Sequence, residues 1–151
     1  MTTFIGRERE LAEVKKLLGS ARLLSLVGAG GLGKTRLSLQ VAADVMDDYP
    51  DGVWFVEFAP LADGRLVAQA VGSALGVKEE GGRPLVEALA MHVAHRRALI
   101  ILDNCEHVIQ ACAELAAQLL RSGPQLRLLA TSREPIGVPG TERNQRFVLH
   151  P

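Results

Sequence analysis

Leu23-Leu24-Ser25-Leu26-Val27-Gly28-Ala29-Gly30-Gly31-Leu32-Gly33-Lys34-Thr35 decides the fold. A short apolar run stops at a cluster of glycines. A helical pattern then resumes at once through Leu37, Val41, Ala42 and Val45. That is a buried strand, a tight turn and a helix in succession. From Gly28 to Thr35 the spacing is G-x-x-x-x-G-K-[ST], a phosphate-binding loop. The glycines let backbone N–H groups turn inward and surround phosphate oxygens. The helix that begins there adds the positive end of its dipole. Lys34 is placed to neutralise β- and γ-phosphates, and the Thr35 hydroxyl to ligate Mg²⁺, which prefers oxygen ligands. A plain glycine-rich turn needs neither the Lys nor the Thr.

Outward from this unit, strands and helices alternate. Glu8 to Leu18 places Leu11, Val14, Leu17 and Leu18 at helical spacing, with Gly19 as a stop. Val53 to Phe58 is β-branched and aromatic, hence a strand. Arg65 to Leu75 reads as a helix stopped by Gly76, and Leu85 to Ala94 as another opened by Pro84. The segment between them, Glu79 to Pro84, reads as a flexible surface loop. Ala98 to Leu102 is wholly apolar, as in a strand covered on both faces. Glu106 to Leu120 is helical and closed by Gly123-Pro124, Leu126 to Ala130 is a fourth strand, and Arg146 to Leu149 a fifth. Alternation of this kind predicts the α/β class, a mostly parallel sheet wrapped by helices. Ligands of such sheets bind beyond the carboxyl ends of the strands.

Two further strand ends carry chemistry. Leu99-Ile100-Ile101-Leu102 is capped by Asp103, a carboxylate suited to hold Mg²⁺ beside a phosphate loop. The structural alternative is an Asp capping the helix that follows. Hydrolysing relatives of such loops often carry a second acid directly after that Asp. Here the position is Asn104, which cannot accept a proton, and Glu106 is the nearest carboxylate that can. Glu106 also fits as an ordinary acid at a helix N-terminus. After the fourth strand come Thr131, Ser132 and Arg133. Thr131 and Ser132 can hydrogen-bond phosphate or water. Arg133, a permanently charged fork, can sense a γ-phosphate or pair on the surface with Glu134.

Composition sets the outer limits. The chain has 151 residues, which is one domain or a piece of a longer chain. Apolar residues make up 48% and charged residues 23%, a balance that folds. Lys plus Arg and Asp plus Glu both number 17, so a basic surface for coating nucleic acid is not expected. No apolar run is long enough to span a bilayer, and Met1 to Glu8 lacks the layout of a signal peptide. Two cysteines, Cys105 and Cys112, do not make a disulfide scaffold, so a cytoplasmic setting is expected. His92 and His95, and the set Cys105, His107 and Cys112, read as solvated or packed side chains in preference to metal ligands. Trp54 and Phe55 read as core-filling.

Taken together, these segments resemble the STAND branch of AAA+-like ATPases, the NB-ARC-type switches. The likeness is greatest to the ATPase domain of large bacterial transcriptional regulators with LuxR-type or antibiotic-regulatory architecture. It is carried by Phe4-Ile5-Gly6-Arg7-Glu8, by the phosphate loop continuing through Thr35-Arg36-Leu37, and by Asp51-Gly52-Val53-Trp54-Phe55-Val56. Leu102-Asp103-Asn104-Cys105-Glu106-His107 and Ala130-Thr131-Ser132-Arg133-Glu134-Pro135 carry it further. The resemblance implies a P-loop NTPase three-layer αβα sandwich with strand order 5-1-4-3-2. It implies ATP or ADP with Mg²⁺ as cofactors. Ile5, Gly6 and Arg7 would line the base and ribose. Gly28, Ala29, Gly30, Gly31, Leu32, Gly33, Lys34, Thr35 and Arg36 would hold the phosphates. Thr35 and Asp103 would hold the metal, and Lys34, Asp103, Glu106 and Arg133 would carry the chemistry.

The function expected is that of a signalling switch that binds Mg-ATP and hydrolyses it slowly. The alternatives are a nucleotide-holding module without hydrolysis and a small-molecule kinase. Residues 1–151 are expected to be one nucleotide-binding domain, the N-terminal part of a longer chain whose helical lid lies elsewhere. Expected partners are the nucleotide, other domains of that chain and a second copy in a nucleotide-dependent association. This segment is expected to bind neither nucleic acid nor membrane.

Overall fold

A computed structural model describes residues 7–137 and 144–150. In chain order the elements are α1 (Glu8–Ser20), β1 (Leu23–Val27), α2 (Lys34–Val45), β2 (Val53–Glu57), α3 (Val67–Leu75), α4 (Leu85–Val93), β3 (Leu99–Asp103), α5 (Ile109–Ser122), β4 (Arg127–Ser132) and β5 (Asn144–Val148). The strands form a five-stranded sheet in the order β2-β3-β4-β1-β5, every pairing parallel. This is the expected order 5-1-4-3-2 read from the other edge.

Side chains of successive strand residues point to opposite faces, and here both faces are covered. Ile100, Leu102, Leu128 and Ala130 enter a core beneath α3, α4 and α5. Leu24, Leu26, Leu99, Ile101 and Leu129 enter a second core beneath α1 and α2. That is why β1 and β3 are buried at every position. Trp54 and Phe55 are half-buried and pack on opposite sides of the edge strand β2. Among the described residues no helix is long and apolar enough to cross a membrane.

Several boundaries differ from the sequence expectation. Gly19 does not stop α1, which runs on to Ser20 and ends where the Ala21 N–H donates to Leu17 O. A single internal glycine costs a helix only about 1 kcal/mol, less than packing returns here. The helix after Asp63 opens with a 3-10 turn at Gly64–Leu66, because the Asp63 carboxylate accepts from the Arg65 N–H and tightens the first turn. Glu106–Val108 is likewise a 3-10 turn ahead of α5. The segment expected to be a flexible loop is a tight turn. Glu80 and Arg83 form a bridge around Gly81 and Gly82, which have φ values of 58° and 74°. Two adjacent positive φ angles suit only glycine-like residues and close a chain reversal in two positions. Strand β4 extends past Ala130 to include Thr131 and Ser132.

Candidate nucleotide site

The site is built at the carboxyl ends of β1, β3 and β4, which the sheet order sets side by side. The phosphate loop leaves β1 and is pinned at its start, where the Gly28 N–H donates to Ser132 O on β4 at 3.2 Å. A Cβ at Gly28 would stand 3.3 Å from Leu149 O, so the close passage past β5 favours glycine. At Gly33 the backbone is left-handed, with φ at 83°, and this residue caps α2. No other residue type turns into a helix there without strain.

Lys34 is buried and folds back over its own loop, its Nζ donating to Gly28 O at 2.6 Å and Ala29 O at 2.9 Å. Burial lowers the Lys34 pKa from its ordinary value. The nearby Glu106 carboxylate opposes that shift, the Arg133 guanidinium adds to it, and Asp103 opposes it. Lys34, Glu106, Arg133 and Asp103 therefore share one electrostatic neighbourhood. Arg133 itself is exposed and reaches over the loop, its Nη2 lying 3.2 Å from where a Cβ at Gly30 would be. Among the described residues no Arg133–Glu134 ion pair is present.

Thr35 and Asp103, 68 residues apart, meet across the sheet. The Thr35 hydroxyl lies 2.9 Å from Asp103 Oδ1 and 3.1 Å from Oδ2. Adjacent ligands of an octahedral Mg²⁺ with bonds of about 2.1 Å are about 3.0 Å apart. A hydroxyl and a carboxylate at that spacing fit such an ion, and these two residues would hold it. Among the described residues no group of three or more His, Cys, Asp or Glu is placed to hold a metal ion.

Five contacts were not legible in the sequence. Thr131 Oγ1 donates to Asp103 Oδ1 at 2.7 Å and accepts from the Asn104 N–H at 2.9 Å. The Asn104 side chain donates to Asp103 Oδ2 at 3.2 Å. Arg7 donates to Leu32 O in the phosphate loop and pairs with Glu10 at 2.9 Å. Arg7 thus joins the loop, while Ile5 and Gly6 lie outside the described residues. Arg36 is exposed on the first turn of α2. Glu106 opens the 3-10 turn, and its Oε1 is buried with no hydrogen-bond partner among the described residues.

Cys105 and Cys112 are both buried under this turn, whereas His107 is exposed. A hydrogen bond with Cys112, reinforced by burial, pushes the Cys105 thiol far up from its ordinary value. The thiolate is the reactive form. Neither thiol should react with Ellman's reagent in the folded protein, and both should do so in urea. Rapid release of two equivalents in native buffer would contradict this.

A family model described as an AAA domain matches residues 16–136. A protein of Mycobacterium tuberculosis named as an HTH-type transcriptional regulator is 43% identical over 127 residues, covering 84% of this chain and 14% of that protein. Regulatory protein AfsR of Streptomyces griseus is 30% identical over 143 residues, covering 86% of this chain and 14% of its own. This chain therefore spans only a small part of the regulators it matches. Among solved structures, a Signal Transduction ATPase with Numerous Domains from Pyrococcus horikoshii, with a tetratricopeptide repeat sensor, superposes with a TM-score of 0.66 at 16% identity. That match covers 99% of this chain and 23% of the other. Cdc6p of Pyrobaculum aerophilum superposes with a TM-score of 0.66 at 17% identity, covering 97% and 46%. These two likenesses bear on the fold alone. From the match over residues 16–136 and the parallel sheet carrying a phosphate loop, the chain belongs to the AAA domain family and has the P-loop NTPase α/β fold.

Proposed function

We propose that this domain binds Mg-ATP and hydrolyses it slowly, as a signalling switch within a longer transcriptional regulator. The observation that carries the reading is the meeting of Thr35 with Asp103 beside Lys34, at the end of the phosphate loop. On this reading Lys34 leaves the carbonyls of Gly28 and Ala29 and turns to the β- and γ-phosphates. That exchange replaces neutral acceptors by charged ones, which form the stronger hydrogen bonds. Thr35 and Asp103 hold Mg²⁺, which when bound neutralises charge on the phosphates. Arg133 turns toward the γ-phosphate, relieving its repulsion with Lys34. Ile5, Gly6 and Arg7 line the base and ribose, and Arg36 flanks the phosphates. Preference for ATP over GTP rests on the family likeness, as do nucleotide-dependent self-association and the link to other domains.

Glu106 is the base in this scheme. Its carboxylate accepts a proton from the attacking water as the new P–O bond forms and the bond to the ADP leaving oxygen breaks. Asn104, directly after Asp103, cannot do this, so the role falls to Glu106. A module that holds nucleotide without hydrolysis is the second reading, favoured by the same Asn104. Single-turnover hydrolysis of ATP separates the two.

Calorimetric titration with ATP and ADP, with Mg²⁺ and in EDTA, tests the reading. Lys34→Ala should weaken ATP binding by about 10- to 100-fold, the loss of one or two charge-assisted hydrogen bonds. Equal affinity in the two proteins would remove the phosphate loop from the site.

A further inference from the structure

Asn104 is the one non-glycine residue with a positive φ among the described residues, at 60°. That conformation is uncommon for side-chain-bearing residues and least costly for Asn and Asp. It arises at the residue after the metal-binding carboxylate, and it has two local consequences. The Asn104 N–H turns to Thr131 Oγ1, and that hydroxyl is thereby left to donate its own proton to Asp103 Oδ1. The Asn104 amide turns back to Asp103 Oδ2. With Thr35 added, both oxygens of a carboxylate that is 1% exposed are held by neutral donors. The chain then passes through buried Cys105 and delivers Glu106, with its buried unpartnered oxygen, to the same neighbourhood as Lys34.

We infer that Asn104 is a positioning residue, whose left-handed backbone and side-chain amide fix the Asp103 carboxylate for a divalent cation and leave the acidic role to Glu106. The inference rests on the Mg-nucleotide reading above. An acid at position 104 in this conformation would set a second carboxylate where the amide nitrogen now lies, 3.2 Å from Asp103 Oδ2. Two carboxylates that close cannot both ionise without large repulsion. Such an acid would disturb the metal ligand. Asn104 is therefore a working part of this turn.

Asn104→Gly keeps the left-handed backbone and deletes the amide. Asn104→Asp keeps the shape and replaces the donor by an acceptor. ATP affinity would be measured by calorimetry for the wild type and both variants, in EDTA and across a Mg²⁺ titration. In EDTA the three should agree. The gain in affinity from Mg²⁺ should fall several-fold in Asn104→Gly and about tenfold or more in Asn104→Asp, the latter about 1.4 kcal/mol. Turnover should not rise in Asn104→Asp. An unchanged Mg²⁺ gain in both variants, or faster turnover in Asn104→Asp, overturns the positioning role. A wild type that binds no nucleotide overturns the Mg-nucleotide reading instead. The positioning contact has its own readout in nucleotide-free protein. The Asn104 side-chain amide protons should exchange slowly with solvent by NMR, and rapid exchange in the wild type overturns the proposal by itself.

Discussion

Glu106→Gln lowers single-turnover ATP hydrolysis by about 10²–10⁴-fold, the usual contribution of a positioned general base, and leaves Mg-ATP affinity unchanged. Gln keeps the size of the side chain and removes only its ability to take a proton. The buried Oε1 of Glu106 has no partner among the described residues, so the substitution disturbs no existing hydrogen bond there. Glu106 also lies close enough to Lys34 to oppose the lowering of its pKa. Removing that charge therefore makes Lys34 easier to deprotonate, and nucleotide binding by the variant should begin to fail at a lower alkaline pH. The sign follows because an anion beside a lysine favours the protonated form. Hydrolysis that survives the substitution at the wild-type rate would remove Glu106 from the chemistry and leave the domain a nucleotide-holding module.

Ile101→Ala destabilises the fold by about 2–5 kcal/mol, read as a shift of the urea midpoint at constant slope. Ile101 is fully buried in the centre of β3, between Phe55 on β2 and Leu129 on β4, and it faces the core beneath α1 and α2. Parallel strands covered on both faces cannot relax into the space a deleted side chain leaves, so the cost includes the cavity. Against a total stability of about 5–15 kcal/mol this is a large fraction. Ile101→Val should cost only about 0.5–1.5 kcal/mol. Equal midpoints for Ile101→Ala and the wild type would mean that this face of the sheet is not packed as described.

Some of this protein is written locally in the chain. Strand β3 is apolar through Leu99 to Leu102 because both its faces are covered, and such a run is readable without any knowledge of its neighbours. The Gly-rich segment ending in Lys34 and Thr35 announces a phosphate loop, because one short turn contains all the groups the loop needs. The stop at Gly76 is equally local, a left-handed residue with φ at 73°. Strand order was available through the family resemblance and not from these patterns.

The rest depends on contacts between distant segments. Thr35 and Asp103 touch only because the sheet order sets β3 one strand from β1, across β4, with the strand ends level. Thr131 reaches Asp103 because β4 runs two residues further than its apolar stretch, extended by pairing with β1. The buried pairing of Cys105 with Cys112 and the direction of the Glu106 carboxylate follow from the turn at Asn104. The sign of its φ is settled by hydrogen bonds to Thr131 and Asp103 and not by its own preference. Asn visits that region without requiring it, so only the packed sheet, by offering those two acceptors, selects it.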